Sequence, residues 1–153
     1  MSVVSFFGST KSRNGLREKE SKDMFGSHRR IDMTNLQVIQ KRFENPDETR
    51  NFELGKFEIV QVGNMTIGRA TYQPGWKWST HVGPTVGEKR CSVEHVGMVI
   101  SGIATVELED GKVIELHPGA MFYVPAVPHD SWVVGNTPYV SLHFLGADHY
   151  AKK

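Results

Sequence analysis

At 153 residues the chain has room for one domain with a real core and little more. Charged residues make up 23%, and 18 Lys+Arg against 17 Asp+Glu leave a formal charge of +1, so no overall field favours nucleic acid or an anionic membrane. The lone cysteine, Cys91, excludes an intramolecular disulfide framework, and no apolar run approaches the ~20 residues that span a bilayer.

The first thirty residues lack sustained periodicity and are locally basic (Lys11, Arg13, Arg17, Lys19, Lys22, Arg29, Arg30), as expected of a solvated tail or loosely packed arm. Val3-Val4-Ser5-Phe6-Phe7 has no positive segment before it and is too short for a signal peptide, so cytoplasmic residence is expected. Leu36, Val38, Ile39 and Phe43 offer one apolar face to a short helix or an edge strand. Asn45-Pro46-Asp47 then signals a turn or a helix start.

From Phe52 the texture changes to short β-rich runs: Phe57–Val62, Met65–Tyr72, Trp76–Val82, Cys91–Ile100, Ala104–Glu109, Lys112–Leu116, Ala120–Val124, Ser131–Val134 and Tyr139–Phe144. Gly63-Asn64, Pro74-Gly75, Gly83-Pro84, Ser101-Gly102, Asp110-Gly111, Pro118-Gly119 and Gly135-Asn136 punctuate them. Ala104, Val106 and Leu108 alternate with Thr105, Glu107 and Glu109, the pattern of a strand with one buried face. The fold class read from this is all-β, an antiparallel sandwich or barrel, with Asp110-Gly111 as a hairpin turn.

The chemistry-bearing residues cluster on these runs. His81 ends the run after Pro74-Gly75, and His129 follows the Pro-rich turn Val124–Pro128. Cys91 and His95 lie four apart, so a strand places them on one face with Val93 and Gly97. Imidazole and thiolate ligate Zn²⁺, Fe²⁺, Ni²⁺ and Cu²⁺, and three or four of them converging in a barrel suffice to bind one tightly. Trp76 and Trp78 alternate and are candidates for an aromatic pocket wall, with Tyr123 and His143 as further pocket candidates. Asp130, beside His129, is a candidate either to orient that ring or to serve a turn or cap. Arg69 and Arg90 are candidates for holding a substrate carboxylate or for surface solvation, and Glu94, beside His95, points to the opposite face. No nucleophilic triad, phosphate-cradling loop or carboxylate pair stands out.

Residues 70–145 resemble the two-motif pattern of the cupin superfamily. Gly75 is followed after five residues by His81, and Gly102 is preceded after six by His95. Gly119, five residues and Pro125 lead to His129 with the last interval one residue short. More specifically, Pro74–His81, Cys91, His95-Val96-Gly97 and Pro128–Gly135 resemble small single-domain bacterial cupins of mostly unassigned chemistry, over roughly residues 45–150. The resemblance implies a single jelly-roll β-barrel over 45–150 behind an N-terminal tail or arm over 1–44, with a divalent metal in the barrel mouth. His81 and His129 match family ligands directly, His95 stands at the place of the family Glu, and Cys91 is a ligand by geometry alone. Gly83 stands where the family has a second His, and Val127 replaces the second-motif Gly.

Zn, Fe, Mn, Ni and Cu all remain open as the metal. Three imidazoles alone leave coordination positions for a small polar substrate, as in a dioxygenase, isomerase or lyase; adding the Cys91 thiolate closes the site for binding, sensing or structure. The expected partner is a small-molecule ligand, and a homodimer is compatible because cupins commonly pair.

Overall fold

The computed structural model describes residues 37–152. The expected arm lies outside the described residues as far as Leu36. Nine strands and two one-turn helices follow: β1 (Glu48–Phe52), β2 (Gly55–Val62), β3 (Met65–Tyr72), α1 (Trp78–His81), α2 (Gly83–Val86), β4 (His95–Ser101), β5 (Ile103–Leu108), β6 (Val113–Leu116), β7 (Met121–Val124), β8 (His129–Val134) and β9 (Tyr139–Leu145). All pair antiparallel, in a six-stranded sheet ordered β1-β2-β3-β9-β4-β7 and a three-stranded sheet ordered β6-β5-β8.

Turn chemistry sets the hairpins. Gly63 takes φ +59° in the two-residue turn that pairs Val62 with Met65, a left-handed backbone that costs glycine nothing. At Asp110-Gly111, Lys112 N donates to Asp110 Oδ1 and Gly111 N to the Leu108 carbonyl, closing β5 onto β6 as expected.

Alternation then decides what faces inward. The buried residues are Gly68, Ala70 and Tyr72 on β3, His95, Gly97 and Val99 on β4, and Tyr139, Ser141 and His143 on β9. They join Phe57, Ile59, Trp76, Trp78, Val82, Cys91, Ala104, Val133, Ala147 and Tyr150 in a core between the sheets. Each large apolar side chain so buried contributes about 1.5–3 kcal/mol.

Four local readings are corrected. Trp76–Val82 is a bridge at Lys77 followed by α1, because Trp78 through His81 close a helical turn in which His81 N and Val82 N donate to the Lys77 and Trp78 carbonyls. Cys91 precedes the strand: it bridges His129, and β4 begins only at His95. β1 was not anticipated, since Glu48-Thr49-Arg50-Asn51 is polar; as an edge strand it buries little and is held by its ladder to β2. Residues 37–42 form neither helix nor strand, and Val38 is 99% exposed. Phe43 nevertheless touches the barrel: the Arg69 guanidinium lies 4.8 Å over its ring and pairs with the buried Glu58.

Candidate metal centre and cavity

Cys91 and His129 exchange both backbone hydrogen bonds, N to O at 2.9 Å each way, which fixes their side chains beside one another. His95 enters from the first residue of β4, opposite Val124, and places Nε2 3.5 Å from Cys91 Sγ. One ligand atom from each of the three lies within 4.8 Å of the others, and all three residues are buried. Ligands of a tetrahedral ion at bonds of about 2.0–2.3 Å stand roughly 3.3–3.8 Å apart, so the Cys91–His95 pair is already at coordination spacing.

The electrostatics suit neutral ligands awaiting a cation. Burial, reinforced by His143 and His129, pushes the His95 pKa down to about 2. His129 is lowered by burial, against the opposing effects of its hydrogen bond to Val127 and of Asp130. Its Nδ1 lies 2.8 Å from the Val127 carbonyl; an oxygen there can only accept, so Nδ1 carries the proton and Nε2 keeps its lone pair. Burial pushes the Cys91 thiol up to about 11, so it is protonated at neutral pH, and a metal bound there would have to displace the proton. His95 Nδ1 is buried without a hydrogen-bond partner. The ring's other nitrogen, Nε2, faces the Cys91 thiol beside a second imidazole, a donor set that fits a transition metal.

The cluster forms one wall of a cavity of about 50 Å³, otherwise lined by Tyr72, Trp76, Trp78, Val106, Leu116, Phe122, Val124, Ser131, Tyr139, His143 and Tyr150. His143 is held on β9 between Gly68 of β3 and Gly97 of β4. Those glycines are required, because a Cβ at either would strike a phenyl ring, Phe57 at Gly68 and Phe122 at Gly97. The two rings contact His143 edge-on at centroid distances of 5.3 and 5.5 Å. Burial pushes the His143 pKa down to about 4; Nε2 lies 3.1 Å from Ser141 Oγ, and Nδ1 has no partner.

The residues singled out from sequence divide as follows. Cys91, His95 and His129 come together, and Trp76, Trp78 and His143 line the same cavity. His81 does not join them. It sits half-buried on α1 with Nδ1 2.9 Å from the main chain of Lys77, and it lines no part of the cavity, because the turn of α1 carries it away from the direction a strand would give. Tyr123 is also corrected: it is 61% exposed and hydrogen-bonds Glu94, while its neighbour Phe122 turns inward. Asp130 orients α1 rather than a ligand ring, accepting from Ser79 N and Oγ at 3.0 and 2.7 Å. Burial raises the Asp130 pKa, and bonds from Ser79, Ser131 and Lys77 outweigh it to hold the carboxyl below its usual range. Arg90 pairs with Glu107 at 3.1 Å and Arg69 with Glu58 at 2.9 Å, both outside the cavity.

Three tyrosines were missed. Tyr72 and Tyr139 are readable in retrospect, as inward positions of β3 and β9. Tyr150 carries no local signal. It reaches the cavity because Arg50 of β1 clamps the carbonyls of Ala147, Asp148 and Tyr150, and its hydroxyl meets Tyr72 Oη at 2.7 Å.

Fold and cluster together define an all-β barrel protein whose chemistry faces inward. The chain belongs to the cupin domain family, whose profile matches residues 68–144. A solved structure of unknown function from Rhizobium leguminosarum bv. viciae 3841 shares the fold at 17% identity and TM-score 0.51, over 71% of this chain and 95% of that one. Bacillus subtilis oxalate decarboxylase is 26% identical over 67% of this chain and 28% of its own, with TM-score 0.46. An Acinetobacter sp. ADP1 protein of unknown function is 16% identical over 60% and 81%, with TM-score 0.45. No curated protein matched the chain.

Proposed function

We propose that this cupin is a metal-dependent enzyme acting on a small polar molecule, with Cys91, His95 and His129 as the metal ligands. The observation that carries the reading is the convergence of those three ligand atoms, within 4.8 Å of one another, on the wall of a buried cavity. With His81 elsewhere, the set is three rather than four. That favours an ion with a position facing the cavity over a closed structural site. A bound divalent ion there supplies Lewis-acid polarisation of a ligand oxygen, nitrogen or sulfur atom.

The chain's own residues do the rest. Val127 fixes the tautomer of His129, and burial keeps His95 and His143 neutral. The lining is largely aromatic, and the hydrogen-bonded hydroxyls of Tyr72 and Tyr150 belong to residues on it. The thiolate and two imidazoles select zinc, copper, iron or nickel over manganese or magnesium.

Elemental analysis of protein purified without chelator tests this. One equivalent of a transition metal is expected, lost in His95→Ala and His129→Ala and kept in His117→Ala. Protein that takes up no metal under any condition refutes the proposal.

A further inference from the structure

The cavity holds an imbalance that bears on what it admits. Among the described residues no Lys, Arg, Asp or Glu lines it. The charges that act on His129, those of Asp130 and Arg90, are each paired outside, with Lys77 at 3.2 Å and Glu107 at 3.1 Å. A divalent ion held by one thiolate and two neutral imidazoles carries a net charge of about +1. One negative charge on an incoming ligand brings the buried site to neutrality. A second is stranded in a low-dielectric wall with no counter-ion, which is strongly unfavourable.

Size acts in the same direction. The space open within the cavity is about 50 Å³, which suits the ion and a small molecule. Four lining residues, Trp76, Trp78, His95 and His143, each bring a buried ring nitrogen with no hydrogen-bond partner, and the indole N–H of Trp76 can only donate. A ligand with an acceptor atom beyond its metal-bound atom would satisfy that donor.

We propose that this site selects by charge: beside Cys91, His95 and His129 the cavity admits a small neutral or monoanionic molecule and rejects dianions. This rests on the metal-site reading above and specifies its substrate class. A separate surface groove carries Arg90 and Lys152 together with Glu88, and shares only Trp78 and Cys91 with the cavity. Dianions are expected to stop there.

The test uses the full chain loaded with Co²⁺, whose visible absorption reports its coordination sphere, titrated with azide, cyanate, sulfate and malonate. Azide and cyanate are expected to shift the cobalt bands saturably, at concentrations at least ~100-fold below any effect of sulfate or malonate. Ser131→Lys places one cation on a half-buried lining position and should bring malonate within about tenfold of azide. Sulfate or malonate acting within tenfold of azide on the unaltered protein overturns charge selection while leaving the metal site intact. Bands unmoved by all four anions mean that no position is open, and overturn it too. Failure to take up cobalt refutes the metal site itself, and this proposal with it.

Discussion

Acidification of the metal-free protein gives the sharpest quantitative test of the buried histidine cluster. In an unfolded chain histidine titrates near 6.5. In the folded protein burial pushes His95 down to about 2 and His143 down to about 4. Above pH 6.5 both states hold the rings neutral, and the pair adds no pH dependence. Below it the unfolded chain binds protons that the folded protein does not, so stability falls as pH falls. Each ring costs about 1 kcal/mol per pH unit or slightly more, which for the two makes a loss of roughly 3–4 kcal/mol by pH 5. His129, lowered by burial as well, adds in the same direction. The carboxylates held below their usual range, among them Asp47, Glu48 and Asp130, lose their contribution only as pH drops through the acid range below about 4. The interval from pH 7 to 5 therefore isolates the histidines. Urea unfolding in excess chelator should show a midpoint falling steeply across that interval, and His143→Phe, which keeps a ring between Phe57 and Phe122, should remove roughly a third to a half of the slope. A midpoint flat from pH 7 to 5 would refute the claim that these imidazoles are buried and neutral.

Further outcomes follow from particular contacts. His81→Ala should keep full metal stoichiometry, whereas Cys91→Ser should weaken affinity by more than the ~10–100-fold typical of a merely supporting residue, both measured by competition with a chromophoric chelator. Cys91, buried and with its thiol pushed up to about 11, should react with a disulfide reagent at pH 8 far more slowly in the native protein than in urea; equal rates would contradict its burial. Phe57→Ala removes a fully buried ring that fills the space over Gly68 and props His143, and should cost about 3–5 kcal/mol in urea unfolding. Arg50→Ala leaves the carbonyls of Ala147, Asp148 and Tyr150 without their donor, and should speed amide hydrogen exchange over residues 147–152 before any global loss of structure.

Much of the barrel is written locally. Two-residue alternation and Gly-containing turns place β2, β3 and β5 through β9 to within a residue or two, because a strand with one buried face must alternate and a tight hairpin needs a residue that tolerates positive φ. The same parity puts His95 and Gly97 on one face of β4, and Tyr139, Ser141 and His143 on one face of β9. It misjudges Trp76–Val82, where apolar and polar residues alternate as in a strand but backbone bonding to Lys77 and Trp78 closes a helical turn.

The ligand set named from the chain was His81, Cys91, His95 and His129; the fold gathers the last three and sends His81 away. Periodicity tells which side of its own strand a residue occupies. It carries nothing about which strand lies opposite across the barrel, or where a segment without periodicity will dock. Those are long-range matters. The Cys91–His129 bridge joins residues 38 apart, and the Arg50 clamp on Tyr150 joins residues 100 apart. The sequence by itself determined an all-β barrel and put His81, Cys91, His95 and His129 forward as ligands. Tertiary packing decided which of them meet, and that the cavity they share is small, aromatic and free of charged side chains, because only the closed barrel brings both sheets and the C-terminal turn around one volume.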